Sequence, residues 1–153
     1  MTQEKLIKNR MIRSRVLFVL TLIALLIFIG LYIDETNRVQ ETYRAQFITS
    51  LNNTSASIDS YLNAEGDLPL RYRQILADYS SANTFAFLMT GLTEEQKIAV
   101  NTLNACLLKY PEQMQDTERL NDMKTAVDDM SQNLDKGFEE AAKVADSVDK
   151  KGL

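Results

Sequence analysis

Hydrophobic positions fall along this chain in two distinct ways. From residue 16 to residue 33 they are continuous, VLFVLTLIALLIFIGLYI, with no charge and only Thr21, Gly30 and Tyr32 outside the purely apolar set. At about 1.5 Å of rise per residue these 18 positions span roughly 27 Å, close to the ~30 Å hydrocarbon core of a bilayer. A cleaved signal peptide carries a shorter apolar region, about 7 to 15 residues, followed by a small-x-small cleavage site. Here the run is followed by Asp34, Glu35, Thr36, Asn37 and Arg38. The pattern predicts one uncleaved transmembrane helix over 16–33.

Beyond it, apolar positions recur at three and four, the helical period, and no period-2 run rich in Val, Ile and Thr appears. Four helices are expected, over about 34–65, 69–90, 94–110 and 117–150. In the first, Val39, Tyr43, Phe47, Leu51, Ile58 and Leu62 share one half of a helical wheel, and no Gly or Pro intervenes before Gly66, so it is expected to continue out of the membrane as a rigid stalk. Gly66 and Pro69 then read as a C-cap and a first-turn proline around a reversal. Thr93 opens T-E-E-Q, a capping box in which Thr93 and Gln96 satisfy each other's amides, and Pro111 stops that third helix.

The last expected helix has the most regular pattern. Leu120, Val127, Leu134, Ala141 and Val148 fall seven apart, as do Met123, Met130, Gly137 and Val144. Such a stripe packs helices at a shallow angle in a bundle or coiled coil. Gly137 and Ala141 are small and admit a close neighbour, with Phe138 beside them. Helix lengths give an up-down-up-down order in which the C-terminus returns to the membrane surface and brings Lys150 and Lys151 to the headgroups. The same order brings the segment Phe85, Ala86, Phe87, Leu88, Met89, apolar on every side, to the membrane-proximal end, either buried or as a contact surface.

Charge sets the orientation. Residues 1–15 hold Lys5, Lys8, Arg10, Arg13 and Arg15 against Glu4, a net of +4, which leaves 12 basic and 20 acidic residues, a net of −8, beyond. Basic flanks stay cytoplasmic, so 1–15 is a basic cytoplasmic tail and 34–153 an extracytoplasmic domain. That acidic balance, without any basic stripe carrying aromatics, excludes nucleic acid as a partner. Cys106 is the one cysteine, so no internal disulfide can form, and it reads as a small core residue rather than a cross-link.

The chain has no histidine, which removes the commonest general base and metal ligand. The five glycines stand alone, so no phosphate loop exists. Adjacent carboxylates such as Asp128 with Asp129, or Glu139 with Glu140, point about 100° apart on a helix and do not converge. Two overlapping N-x-S/T acceptors at Asn52 and Asn53 lie inside an expected helix, where acceptors are poorly presented. Arg71, Tyr72 and Arg73 form the one cluster suited to a small anion, since guanidinium grips a carboxylate bidentately. Small polar residues at 50–60 and 80–84 soften the middle of the core.

The arrangement over 16–150 resembles the extracytoplasmic four-helix-bundle sensor modules of bacterial chemoreceptors and histidine kinases, in which a transmembrane helix continues into the first bundle helix. Such receptors re-enter the membrane towards a signalling domain, whereas this sequence runs to Leu153, so a sensor of this kind is expected to signal through a partner. The fold class expected is therefore all-α: one N-terminal transmembrane helix continuing into an extracytoplasmic antiparallel four-helix bundle. The expected function is that of a membrane-anchored, non-enzymatic interaction module without cofactor or metal, acting on a protein partner or on itself. Candidate interface residues are Leu120, Met123, Val127, Met130, Leu134, Phe85, Phe87 and Met89. The alternative is a sensor-like subunit that binds a small ligand, with the polar mid-bundle region or the Arg71, Tyr72 and Arg73 cluster as its site, and signals through a partner.

Overall fold

The computed structural model describes residues 3–64 and 66–150, and among them every regular element is a helix: α1 (Gln3–Leu62), α2 (Leu68–Leu88), α3 (Glu94–Lys109), α4 (Pro111–Met114), α5 (Thr117–Gln132) and α6 (Phe138–Asp146). The chain divides into two compact units between Val39 and Gln40.

In the first unit the apolar run 16–33 presents large side chains on all sides of the helix, none of them buried. It is the one helix among the described residues long and apolar enough to cross a membrane. Its few polar groups are satisfied locally. Thr21 donates to the Leu17 carbonyl at 2.9 Å, and just past the run Thr36 donates to the Tyr32 carbonyl at 2.8 Å, the i−4 bond by which a hydroxyl is accommodated in an apolar helix.

The second unit is built on one buried core. The 40–62 part of α1 supplies Phe47, Leu51 and Ile58, spaced four and seven apart; α2 supplies Tyr72, Ile75, Tyr79, Ala82 and Ala86; α3 supplies Ala99, Val100, Leu103, Cys106 and Leu107. Met114 fills from α4, and α5 and α6 close the core. The Thr93 capping box forms as the sequence implies, with Gln96 N donating to Thr93 Oγ1 at 3.2 Å and Thr93 N donating to Gln96 Oε1 at 2.8 Å. At the first reversal the left-handed residue is Asp67 (φ 57°), not Gly66. A short polar side chain tolerates that region, and Pro69 fixes the first turn of α2 just after it. Glu65 lies outside the described residues.

The expected continuous helix over 117–150 is corrected: the chain breaks at 133–137 and reverses. Asn133 leaves the helix with extended backbone, its side chain accepts from Asp135 N at 3.0 Å, and Gly137 takes a φ of +82°. Asn competes for backbone donors and Gly enters the left-handed region without penalty, so the segment N-L-D-K-G prefers a turn to another helical turn. A Cβ on Gly137 would lie 2.3 Å from the Ala126 carbonyl oxygen and 2.8 Å from Met130 N. The close neighbour admitted by this glycine is the backbone of α5 itself.

The reversal adds one more pass, so α6 runs back along α5 and along α3. Arg119, at the start of α5, donates to the Ser147 hydroxyl and carbonyl at 3.2 Å each. The Gln113 amide exchanges two bonds with the Asp149 backbone, at 3.0 and 2.8 Å. Asp149 therefore sits beside α4, at the end of the unit that holds Tyr61, whose hydroxyl reaches Gln115 at 3.3 Å. Gln40, at the other end of this part of α1, holds Leu88 and Thr90. Lys150 is thus at the end of the second unit opposite Gln40, paired with Asp146 at 3.2 Å. Lys151 lies outside the described residues.

Candidate functional site

The heptad stripe closes on itself. Leu120, Met123, Val127 and Met130 are fully buried on α5, Leu134 is half-buried in the turn, and Ala141, Val144 and Val148 are buried beyond it. These side chains pack against one another across the α5–α6 hairpin and against α3, inside the unit. Of the segment 85–89, Phe85 is half-buried, its ring centroid 6.4 Å from that of Tyr43, and Ala86 and Met89 are buried. Phe87, 52% exposed, and Leu88 face out.

The anion candidates are separated by their own helix. Arg71 is turned to α1, where its guanidinium donates to the Ser60 carbonyl at 3.2 Å, to the Ser60 hydroxyl and to the Gly66 carbonyl at 3.2 Å. It clasps the α1–α2 reversal. Tyr72 points into the core, donating to the Leu107 carbonyl at 2.8 Å and stacking edge-on to Tyr61 at 6.3 Å. Arg73 is exposed on the far side of α2. A groove of about 260 Å³ runs past Arg71, walled by Ser57, Ser60, Leu70 and Gln74.

The small polar residues that soften the core in sequence pair between helices. Ser50 donates to Ser81 at 3.1 Å and Ser57 to Asp78 at 2.6 Å, joining α1 to α2. Ser80 donates to Asn104 at 2.9 Å and Asn83 to Asn101 at 3.3 Å, joining α2 to α3. The Tyr79 hydroxyl and Asn83 Oδ1 are buried without a hydrogen-bond partner among the described residues. Burial pushes the Tyr79 and Tyr72 phenols far above the usual range and raises the Cys106 thiol. Cys106 is a core residue, its sulfur 3.6 Å from the Ala145 carbonyl oxygen. Lys124 bridges α5 to α1, 2.9 Å from Asp128 and 3.5 Å from Asp59, and the Asp128 hydrogen bond first, then Asp59, holds its ammonium above the usual value.

Among the described residues no three His, Cys, Asp or Glu side chains converge as metal ligands would. Two further grooves lie along the hairpin. One of about 310 Å³ is lined by Asp122, Thr125, Glu140, Lys143, Val144 and Ser147, and one of about 370 Å³ sits over the 133–137 turn. Glu139 there has its carboxyl held low by the Lys143 hydrogen bond at 2.8 Å, a solvated i,i+4 pair. What the sequence reading missed is the outer side of α3, where Ile98 is 61% and Leu108 56% exposed. The signal for it was present: 98–108 contains no charged residue. Comparison with family models, with curated proteins and with solved structures finds no match for the chain, so any function has to be argued from these residues.

Proposed function

We propose that this protein is a non-enzymatic, membrane-anchored helical interaction module of the cell envelope, which works by associating with a protein partner or with itself. On this reading 16–33 spans the bilayer, 1–15 is cytoplasmic, and the helices of 40–150 form an extracytoplasmic bundle with the α5–α6 hairpin in place of a fourth long helix. The charge step from +4 before the apolar run to −8 after it supports that orientation.

One observation carries the functional part. Large apolar side chains stand on the outside of an acidic unit, Phe87, Ile98 and Leu108 among them, while the groups suited to chemistry are engaged structurally: Arg71 by Ser60, Tyr72 by Leu107, Cys106 by the core. Exposed apolar surface of this kind marks contact sites. The hydrogen bonds of Arg71 to Ser60 and Gly66 weigh against the small-ligand alternative at that residue.

Counting chains tests the reading. The full chain is extracted from its native membrane directly into lipid-bilayer particles and each particle is weighed. Particles holding two or more polypeptides are expected, and particles holding this chain alone at every surface density would refute the proposal.

A further inference from the structure

We infer that the outer face of α2 and α3 is the self-association surface, and that its occupant is the same face of a second copy of this chain. The inference rests on the interaction-module reading and narrows it to one surface and one partner.

Charge is segregated in the second unit. Residues 111–150, which form α4, α5 and α6, carry 11 Asp and Glu against 5 Lys and Arg. Residues 79–93 and 98–108 carry none of either sign. The two uncharged stretches lie side by side, because Ser80 bonds to Asn104 and Asn83 to Asn101. On α3 the positions Ile98, Asn101, Ala105 and Leu108 follow one another at three, four and three, which is a single helical strip. Thr84 and Phe87 of α2 are exposed as well. Residues 45–58 of α1 are also uncharged, but their exposed members are Ala45, Gln46, Thr49, Asn52, Asn53 and Ala56, with no large apolar side chain among them.

An interface centre is depleted of charge and enriched in large apolar groups; the strip carries no charge from Ile98 to Leu108 and exposes those two apolar side chains at its ends. A second copy is the occupant that the charges favour. Two copies of so acidic a unit repel wherever α5 or α6 of one meets the other, and pairing through the uncharged face leaves both acidic sides directed away from the contact. A symmetric pair is isologous, so each residue on the two-fold axis meets itself. Two helical segments of about 15 Å offer a contact smaller than the roughly 1,200–2,000 Å² that stable interfaces between free proteins bury. Confinement of the anchored chains to one bilayer raises their effective concentration and makes so small a contact sufficient.

The experiment uses the full chain in bilayer vesicles with Cys106→Ala as background and a short bis-maleimide as linker. Asn101→Cys, on the strip, is expected to link copy to copy at least ~5-fold more than Glu118→Cys, exposed on α5, at equal density. Adding Ile98→Glu, which sets like charges face to face, is expected to reduce linkage to the Glu118→Cys level with the helical circular dichroism unchanged. Equal linkage at Asn101 and Glu118, or linkage indifferent to Ile98→Glu, would overturn the inference. Particles that hold several chains while Asn101→Cys stays unlinked would overturn this surface and leave the interaction module standing; particles holding one chain would remove both.

Discussion

Replacing Gly137 with alanine is expected to destabilise the second unit by roughly 3 kcal/mol, lowering its melting temperature by on the order of 10 °C or more. Two costs add. A non-glycine residue at φ +82° pays about 1–2 kcal/mol for the left-handed backbone. The new methyl would also have to displace backbone atoms of α5, the Ala126 oxygen at 2.3 Å and Met130 N at 2.8 Å, and backbone inside a packed hairpin gives way less readily than a side chain. The sign makes this variant informative. In an uninterrupted helix over 117–150 the same change would stabilise by about 0.5–1 kcal/mol, because alanine is the better helix former. Thermal melts of the two full chains, followed by circular dichroism, separate the hairpin from the straight helix without reference to any other property.

Phe47→Ala is expected to cost about 3–5 kcal/mol, the range for emptying a fully buried aromatic position. Phe47 is one of three large α1 side chains in the core of the second unit, with Leu51 and Ile58. If the 40–62 part of α1 were a stalk that merely carried the unit, its removal would be nearly silent. The neighbouring exposed position sets the control: Gln46→Ala should change stability by no more than ~0.5 kcal/mol. The pair is read by urea denaturation, where a fall in midpoint at constant slope for Phe47→Ala alone places α1 inside the cooperative fold.

The all-helical character, the apolar run and most helix ends follow from local rules that this chain obeys. Thr93 with Gln96 makes its capping box and Pro111 ends α3, because such signals act within a few residues and need no tertiary partner. The stripe from Leu120 to Val148 shows why the same method fails at longer range. Its seven-residue spacing survives the reversal at 133–137, since α5 and α6 each bury one face in the same core. Periodicity reports which side chains are buried and is silent on whether one helix or two bury them. The turn was written in Asn133 and Gly137, the latter explained in sequence merely by its small size. Leu120, Met123, Val127 and Met130 read as a surface for the same reason, a stripe being identical whether its partner is another chain or the next helix. Arg71 read as an anion-binding candidate because its partner, Ser60, lies across a chain reversal. The exposed strip of α3 escaped notice because exposure depends on which neighbours cover a helix, a fact settled only when all of them are placed.

The proposed place of this protein in the envelope requires the acidic unit to stand outside the membrane on one spanning helix, and sidedness tests that most directly. Single cysteines are placed at Ser14 and at Glu118, both exposed, in a Cys106→Ala chain, and spheroplasts are treated with a membrane-impermeant maleimide. Labelling of Glu118→Cys in sealed spheroplasts, with Ser14→Cys labelled only after permeabilisation, is the expected result. Labelling of Ser14→Cys from outside, or protection of Glu118→Cys until the membrane is opened, would contradict the orientation and with it the proposed place of this protein in the envelope.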